Sequence, residues 1–143
     1  MSDRVFVDTN ILVYAVDASE PKKCPVARNW LERLWQERSG CLSYQVLNEF
    51  YVTVTAKLSP GLDARDAREL VRSLFAWQPL AIDIAAIERA WHLMDRFSLH
   101  FWDALIVASA NLCAAQILLS EDLQADLEIH GTRIVNPFLA PAA

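Results

Sequence analysis

The chain has 143 residues, 54% of them hydrophobic and 22% charged, with a formal net charge of −5. That balance predicts one compact domain over residues 1–143 with its own core, and excludes extended disorder. It also excludes tight stand-alone binding to nucleic acid, where a basic footprint is the rule. An enzyme whose metal ions mask its acids before a polyanion arrives stays open.

Only three glycines are present, and neither GxGxxG nor GxxxxGK[ST] occurs, which excludes a glycine-loop nucleotide site. The odd set Cys24, Cys41 and Cys113, with no CxxC pair, predicts free thiols in a reducing compartment. No apolar run of signal-peptide or membrane-spanning length is seen, so a cytoplasmic location is expected.

In chain order, residues 4 to 7 read as a first strand and Asn10 to Val16 as a short helix. The turn-like segment Ala18 to Pro25 leads to a helix from about Val26 to Arg38, and Gly40 then precedes a minimal strand, Cys41-Leu42-Ser43. Val46, Leu47, Phe50 and Val54 share one face of a helix expected from Tyr44 to Lys57. Ser59-Pro60-Gly61 ends that helix, and Asp63 caps the next, which reaches Phe75 or Trp77. Pro79 to Ile82 reads as a strand, and Asp83 caps a helix from Ile84 to Phe97. A very apolar helix, His100 to Cys113, precedes strands ending at Leu119 and spanning Thr132 to Val135. This alternation predicts an α/β fold with a parallel sheet covered on both faces.

Four acids stand out against that frame. Val5-Phe6-Val7 runs into Asp8, and Ile117-Leu118-Leu119 runs through Ser120-Glu121 to Asp122. In open α/β sheets, ligands bind in the crevice beyond the carboxyl ends of the strands. Asp103 sits in the first turn of the apolar helix, where the helix dipole favours an acid and burial demands a partner. Glu49 flanks the apolar stripe of its own helix. Each has a plainer reading: Asp8 as an N-cap, Glu49 as a solvated side chain, Asp103 as a dipole partner, Asp122 as a turn residue. Spacing alone does not decide whether Glu121 or Asp122 points inward. Carboxylates gathered together repel by several kcal/mol even at an effective dielectric of about 20. At least one should have a raised pKa without a cation. Mg²⁺ or Mn²⁺ is the usual answer, since both prefer oxygen ligands.

The segments VFVDTNILVYA, VLNEFYVTVTAK, FWDALIVASA and LLSEDL, with RIVNPF near the end, resemble the motif blocks of PIN-domain ribonucleases. The match is closest to the VapC-type toxins of toxin–antitoxin pairs. It spans essentially the whole sequence in family order. Carried over by position, the family's acids fall on Asp8, Glu49, Asp103 and Asp122, as catalytic residues and metal ligands. Asn10 and Ser120 fall on the supporting positions, Ser120 where the family more often has threonine. The resemblance implies a three-layer α/β/α sandwich with a central parallel sheet, Mg²⁺ or Mn²⁺ as cofactor, an RNA substrate, a homodimer and a cognate antitoxin protein. The implied activity is endoribonucleolytic. An ion lowers the pKa of bound water for in-line attack, leaving the 2′-hydroxyl unused and giving 5′-phosphate and 3′-hydroxyl ends.

Arg65, Arg68 and Arg72 form a stripe that is a candidate for guiding the RNA backbone, with Lys22 and Lys23 in an early loop. The plainer reading pairs those arginines with the interleaved Asp63, Asp66 and Glu69. Five tryptophans could stack on bases, although Trp30, Trp35, Trp77 and Trp91 lie in helical patterns that suit packing. An antitoxin segment is expected to dock on apolar faces around Val46 to Val54 and Leu70 to Phe75. A receiver domain lacks support because no lysine follows Lys57, and a haloacid-dehalogenase site would want DxD where Asp8-Thr9-Asn10 stands. The alternative is a catalytically silent interaction or signalling module with an acidic pocket.

Overall fold

The computed structural model describes residues 3–139. Five strands form one sheet: β1 (Val5–Val7), β2 (Gly40–Cys41), β3 (Ile117–Leu119), β4 (Glu128–Ile129) and β5 (Thr132–Val135). Their order across the sheet is β2-β1-β3-β5-β4. The pairs β1–β2, β1–β3 and β3–β5 are parallel, while β4 runs antiparallel to β5 at the edge. The sheet is therefore mostly parallel. The sequence reading did not foresee β4, because two residues carry no detectable alternation.

Among the described residues, six α-helices flank the sheet: α1 (Thr9–Val16), α2 (Lys23–Glu37), α3 (Tyr44–Val52), α4 (Ala64–Leu74), α5 (Ile84–Phe97) and α6 (Phe101–Leu112). Their starts follow from local chemistry. Ser43, Asp63 and Asp83 each accept from a backbone N–H three residues on, capping α3, α4 and α5. Arg38 and Ser98 end α2 and α5 in the left-handed conformation. Ala104 to Ala110 of α6 are buried without a break, as its composition requires, and α6 packs against β3, β5 and α5.

Several expected boundaries move, β2 among them, which lies at Gly40–Cys41 and not at Cys41 to Ser43. α2 starts at Lys23 and takes Pro25 into its first turn, where a proline costs no helical hydrogen bond. The helix expected to reach Lys57 ends as α-helix at Val52 and widens into a π-helical turn over Thr53–Lys57, closed by Leu58 N–H donating to the Thr53 carbonyl at 2.9 Å. The strand expected at Pro79 to Ile82 shrinks to a single parallel bridge between Ser43 and Leu80.

The order β2-β1-β3 sets the functional geometry. The chain leaves β1 for β2 on one side and later returns to β3 on the other, so the crossovers diverge between β1 and β3. That is the switch-point crevice of an open α/β sheet. The Asp8 N–H donates to the Leu119 carbonyl at 3.0 Å, and the Ser120 N–H donates to the Val135 carbonyl at 3.0 Å. Both acid-bearing strand ends are thereby held side by side.

Candidate active site

Asp8 caps α1 from the end of β1. Its Oδ1 accepts from the Thr9 N–H at 2.7 Å, and its Oδ2 accepts from the Ser120 hydroxyl at 2.8 Å. The side chain is 8% exposed, and no lysine or arginine pairs with it among the described residues. Burial raises its pKa from 3.8 to about 6. The Ser120 and Thr9 hydrogen bonds oppose that rise, while the charges of Glu49 and Asp122 add to it.

Asn10, in the first turn of α1, ties the two strand ends together. Its amide nitrogen reaches Oδ2 of Asp8 at 3.3 Å and Oδ2 of Asp122 at 3.1 Å. Its side-chain oxygen accepts from the Glu121 N–H at 3.1 Å. Ser120 Oγ also accepts from the Asp122 N–H at 3.2 Å, so the hydroxyl that binds Asp8 shapes the following turn. Glu121 turns to other partners: Lys23 at 2.6 Å and the Tyr14 hydroxyl at 2.5 Å. Burial works against its ionised form, but those two hydrogen bonds outweigh it and lower the Glu121 pKa. The two adjacent acids thus have different anchors.

Glu49 and Asp103 come from helices. Glu49 accepts at Oε1 from the Thr9 hydroxyl at 2.8 Å, which joins α3 to the start of α1. Asp103 is half-buried in the first turn of α6 and takes part in no ion pair among the described residues. One cleft of about 740 Å³ is lined by Asp8, Glu49, Asp103 and Asp122 together, with Asn10 and Glu121.

No group of three or more Asp, Glu, His or Cys side chains is already drawn up at metal-holding spacing among the described residues. The donor set nonetheless fits a hard divalent cation: Asp8, Glu49, Asp103 and Asp122 are among seven acids lining one cleft, and oxygen donors are what Mg²⁺ and Mn²⁺ take. A buried carboxylate that no side-chain cation balances supports the same fit. Asp8, Glu49, Asp103 and Asp122 are the residues that could hold such an ion.

Arg65, Arg68 and Arg72 are exposed on α4 and do not line this cleft. Arg68 donates to the Tyr51 hydroxyl at 3.1 Å, and no ion pair joins the stripe to its interleaved acids among the described residues. Lys23 is bound to Glu121. The cation that does line the cleft is Lys57, from the π-helical turn. Helical periodicity could not have placed it, because a π turn adds one residue and shifts every later side chain around the axis. Tyr14, Gln45 and Asn48 also line the cleft and carried no signal in the sequence. Of the tryptophans, Trp102 lines it, whereas Trp35 and Trp77 pack together with ring centroids 5.3 Å apart.

Comparison with known proteins agrees with this architecture. The sequence matches the PIN domain family over residues 5–126. This chain belongs to the PIN domain family. The matched span of the PIN domain contains Asp8, Glu49, Asp103 and Asp122. Solved structures similar in fold include the following two. A toxin–antitoxin complex from Klebsiella pneumoniae has a TM-score of 0.60 at 21% identity, covering 93% of this chain and 97% of that one. VapC20 from Mycobacterium tuberculosis, a sarcin–ricin loop cleaving toxin, has a TM-score of 0.54 at 18% identity, covering 80% of this chain and 86% of that one. No curated protein matches this chain. Among the described residues, no helix is long and apolar enough to cross a membrane.

Proposed function

We propose that this PIN domain protein is a Mg²⁺- or Mn²⁺-dependent endoribonuclease and the toxin of a toxin–antitoxin pair. The observation that carries the reading is the meeting of Asp8, Glu49, Asp103 and Asp122 in one cleft at the sheet's switch point. The two structural neighbours, one a toxin–antitoxin complex and one a sarcin–ricin loop cleaving toxin, support it.

Asp8, Glu49 and Asp103 would hold the ion directly or through water, and Asp122 would complete a second site or fix a water. When bound, the ion neutralises the acids, polarises the scissile phosphate and makes water a better nucleophile. The chain's own residues prepare that chemistry. Ser120 and the Thr9 N–H fix both oxygens of Asp8, the Thr9 hydroxyl fixes Glu49, and Asn10 fixes Asp122 against Asp8. Rigid carboxylates lose little entropy when they bind a cation. Lys57 supplies positive charge in a cleft rich in acids, where a phosphate must enter. The exposed arginines of α4 lie outside the cleft lining.

An antitoxin partner and a homodimer belong to the same reading. A guanidinium from the antitoxin would compete for these carboxylates. The apolar wall expected at Val46 to Val54 is mostly core: Val46, Leu47, Phe50 and Val54 are buried, leaving Val52 exposed at the cleft. Leu70 and Phe75 on the α4 side are also exposed.

The test is induced expression of the chain alone, with cleavage of RNA by the purified protein in Mn²⁺ and in chelator. Growth arrest and Mn²⁺-dependent cleavage to 5′-phosphate ends are expected, and Asp103→Ala should abolish both. Arrest of equal strength by Asp103→Ala would favour the silent interaction module.

A further inference from the structure

Beside the acid cleft lies a second hollow of about 610 Å³. Tyr44 at the start of α3, Ile82 ahead of α5, and Trp102 and Leu105 of α6 give it an aromatic and apolar wall. Gln45, Asn48, Glu49 and Trp102 line both spaces, so the hollow is continuous with the cleft. Tyr44 is 46% exposed and Trp102 is 61% exposed. Trp102 is braced at one side by Phe101, whose ring centroid lies 5.0 Å away in an edge-on arrangement. A polar group in this wall lacks a partner: Gln45 Oε1 is buried and accepts no hydrogen bond, while Nε2 makes a long contact of 3.5 Å to the Trp102 carbonyl. Turning that amide toward an incoming group breaks no hydrogen bond other than this long contact.

We propose that this hollow is a subsite for one unpaired nucleobase of the RNA, stacked on the Trp102 indole and donating an N–H to the Gln45 side-chain oxygen. The proposal rests on the ribonuclease reading and deepens it. A flat, exposed indole next to a phosphodiester-cleaving centre is what a base plane covers best, whatever the base. A buried acceptor without a donor is costly, and a nucleobase edge supplies the donor. In a duplex that edge is already engaged, so the subsite favours single-stranded loops over paired RNA. A partner helix bringing aliphatic side chains would leave the Gln45 oxygen unpaired, which is why a base is favoured over a protein occupant.

The experiment measures binding of a short single-stranded oligoribonucleotide by fluorescence anisotropy in Ca²⁺, which screens the acids while activating bound water far less than Mg²⁺ or Mn²⁺, so that cleavage does not intervene. Wild type should bind an oligonucleotide with one abasic position, at its best placement, roughly 5- to 100-fold more weakly than the intact one. Trp102→Ala should show a similar loss with the intact oligonucleotide and no further loss with the abasic one. Trp102→Phe should restore most of the affinity, and substitution of Trp91, an exposed tryptophan that lines neither hollow, by alanine should change nothing. If wild type binds intact and abasic RNA equally while still cleaving RNA in Mn²⁺, the subsite is disproved and the ribonuclease reading survives. If the protein neither binds nor cleaves RNA, both fall. If Trp102→Ala keeps full RNA affinity but loses self-association or capture of a partner, the hollow is a protein interface and the subsite is disproved.

Discussion

The amide nitrogen of Asn10 donates to Oδ2 of Asp122 at 3.1 Å, across 112 positions of sequence. The same side chain also reaches Asp8 and accepts from the Glu121 N–H. One neutral side chain thus spans the gap between two strand ends whose carboxylates would otherwise face each other unscreened. Asn10→Asp keeps the shape but replaces the donor with a third negative charge. It should destabilise the metal-free protein by about 1–3 kcal/mol, because a donor is lost and repulsion is added. Saturating Mn²⁺ should recover much of that loss. Chemical denaturation of both proteins, with and without the ion, would expose an equal stability in chelator as a failure of the assignment.

Asp8 supplies a pH signature. Its carboxyl rises from 3.8 to about 6 in the folded chain, chiefly through burial, so the native state binds a proton more tightly than the unfolded chain does. Its contribution to stability is full below about pH 3.8 and is lost as pH rises through about 6. Metal-free Asp8→Asn should lack that decline and be more stable than wild type at pH 7 by roughly 2–3 kcal/mol, less whatever the amide forfeits at Ser120. It should also bind Mn²⁺ more weakly. Titration calorimetry giving equal Mn²⁺ affinity for both proteins would remove Asp8 from the site.

Glu121 and Asp122 are neighbours with different duties. Glu121 is engaged by Lys23 and Tyr14, whereas Asp122 is held by Asn10. Asp122→Ala should therefore depress RNA cleavage at least about 10-fold more than Glu121→Ala, in line with losses seen when groups around a metal are removed. Cleavage rates of the two variants under the same Mn²⁺ concentration test this. Equal losses would mean that both acids serve the ion.

Gly40 reports on packing away from the cleft. A Cβ at this position would overlap the Trp77 ring, which itself packs on Trp35. Gly40→Ala should cost about 1–3 kcal/mol through overpacking. Combining it with Trp77→Ala should make the alanine at position 40 nearly neutral, a non-additivity that a thermal-melt double-mutant cycle reads directly. Additive losses would place the cause elsewhere.

Local chemistry in the sequence determined much of this protein. Short apolar runs marked β1 and β3, capping residues marked the starts of α3, α4 and α5, and the unbroken apolar stretch of α6 announced its burial. The same order placed Asp8 and Asp122 at strand ends, because a strand's carboxyl terminus is a property of the chain itself. Only the tertiary structure decided the rest. That Glu121 and not Asp122 meets Lys23, that Thr9 holds Glu49, and that Asn10 bridges the acids depends on side chains brought together by strand order. The π-helical turn carried Lys57 into the cleft against the 3.6-residue expectation, while the arginine stripe of α4, regular in sequence, lies outside it. Periodicity tells a helix which face is apolar. It says nothing of what the polar face will meet, because that is set by the packing of other elements against it.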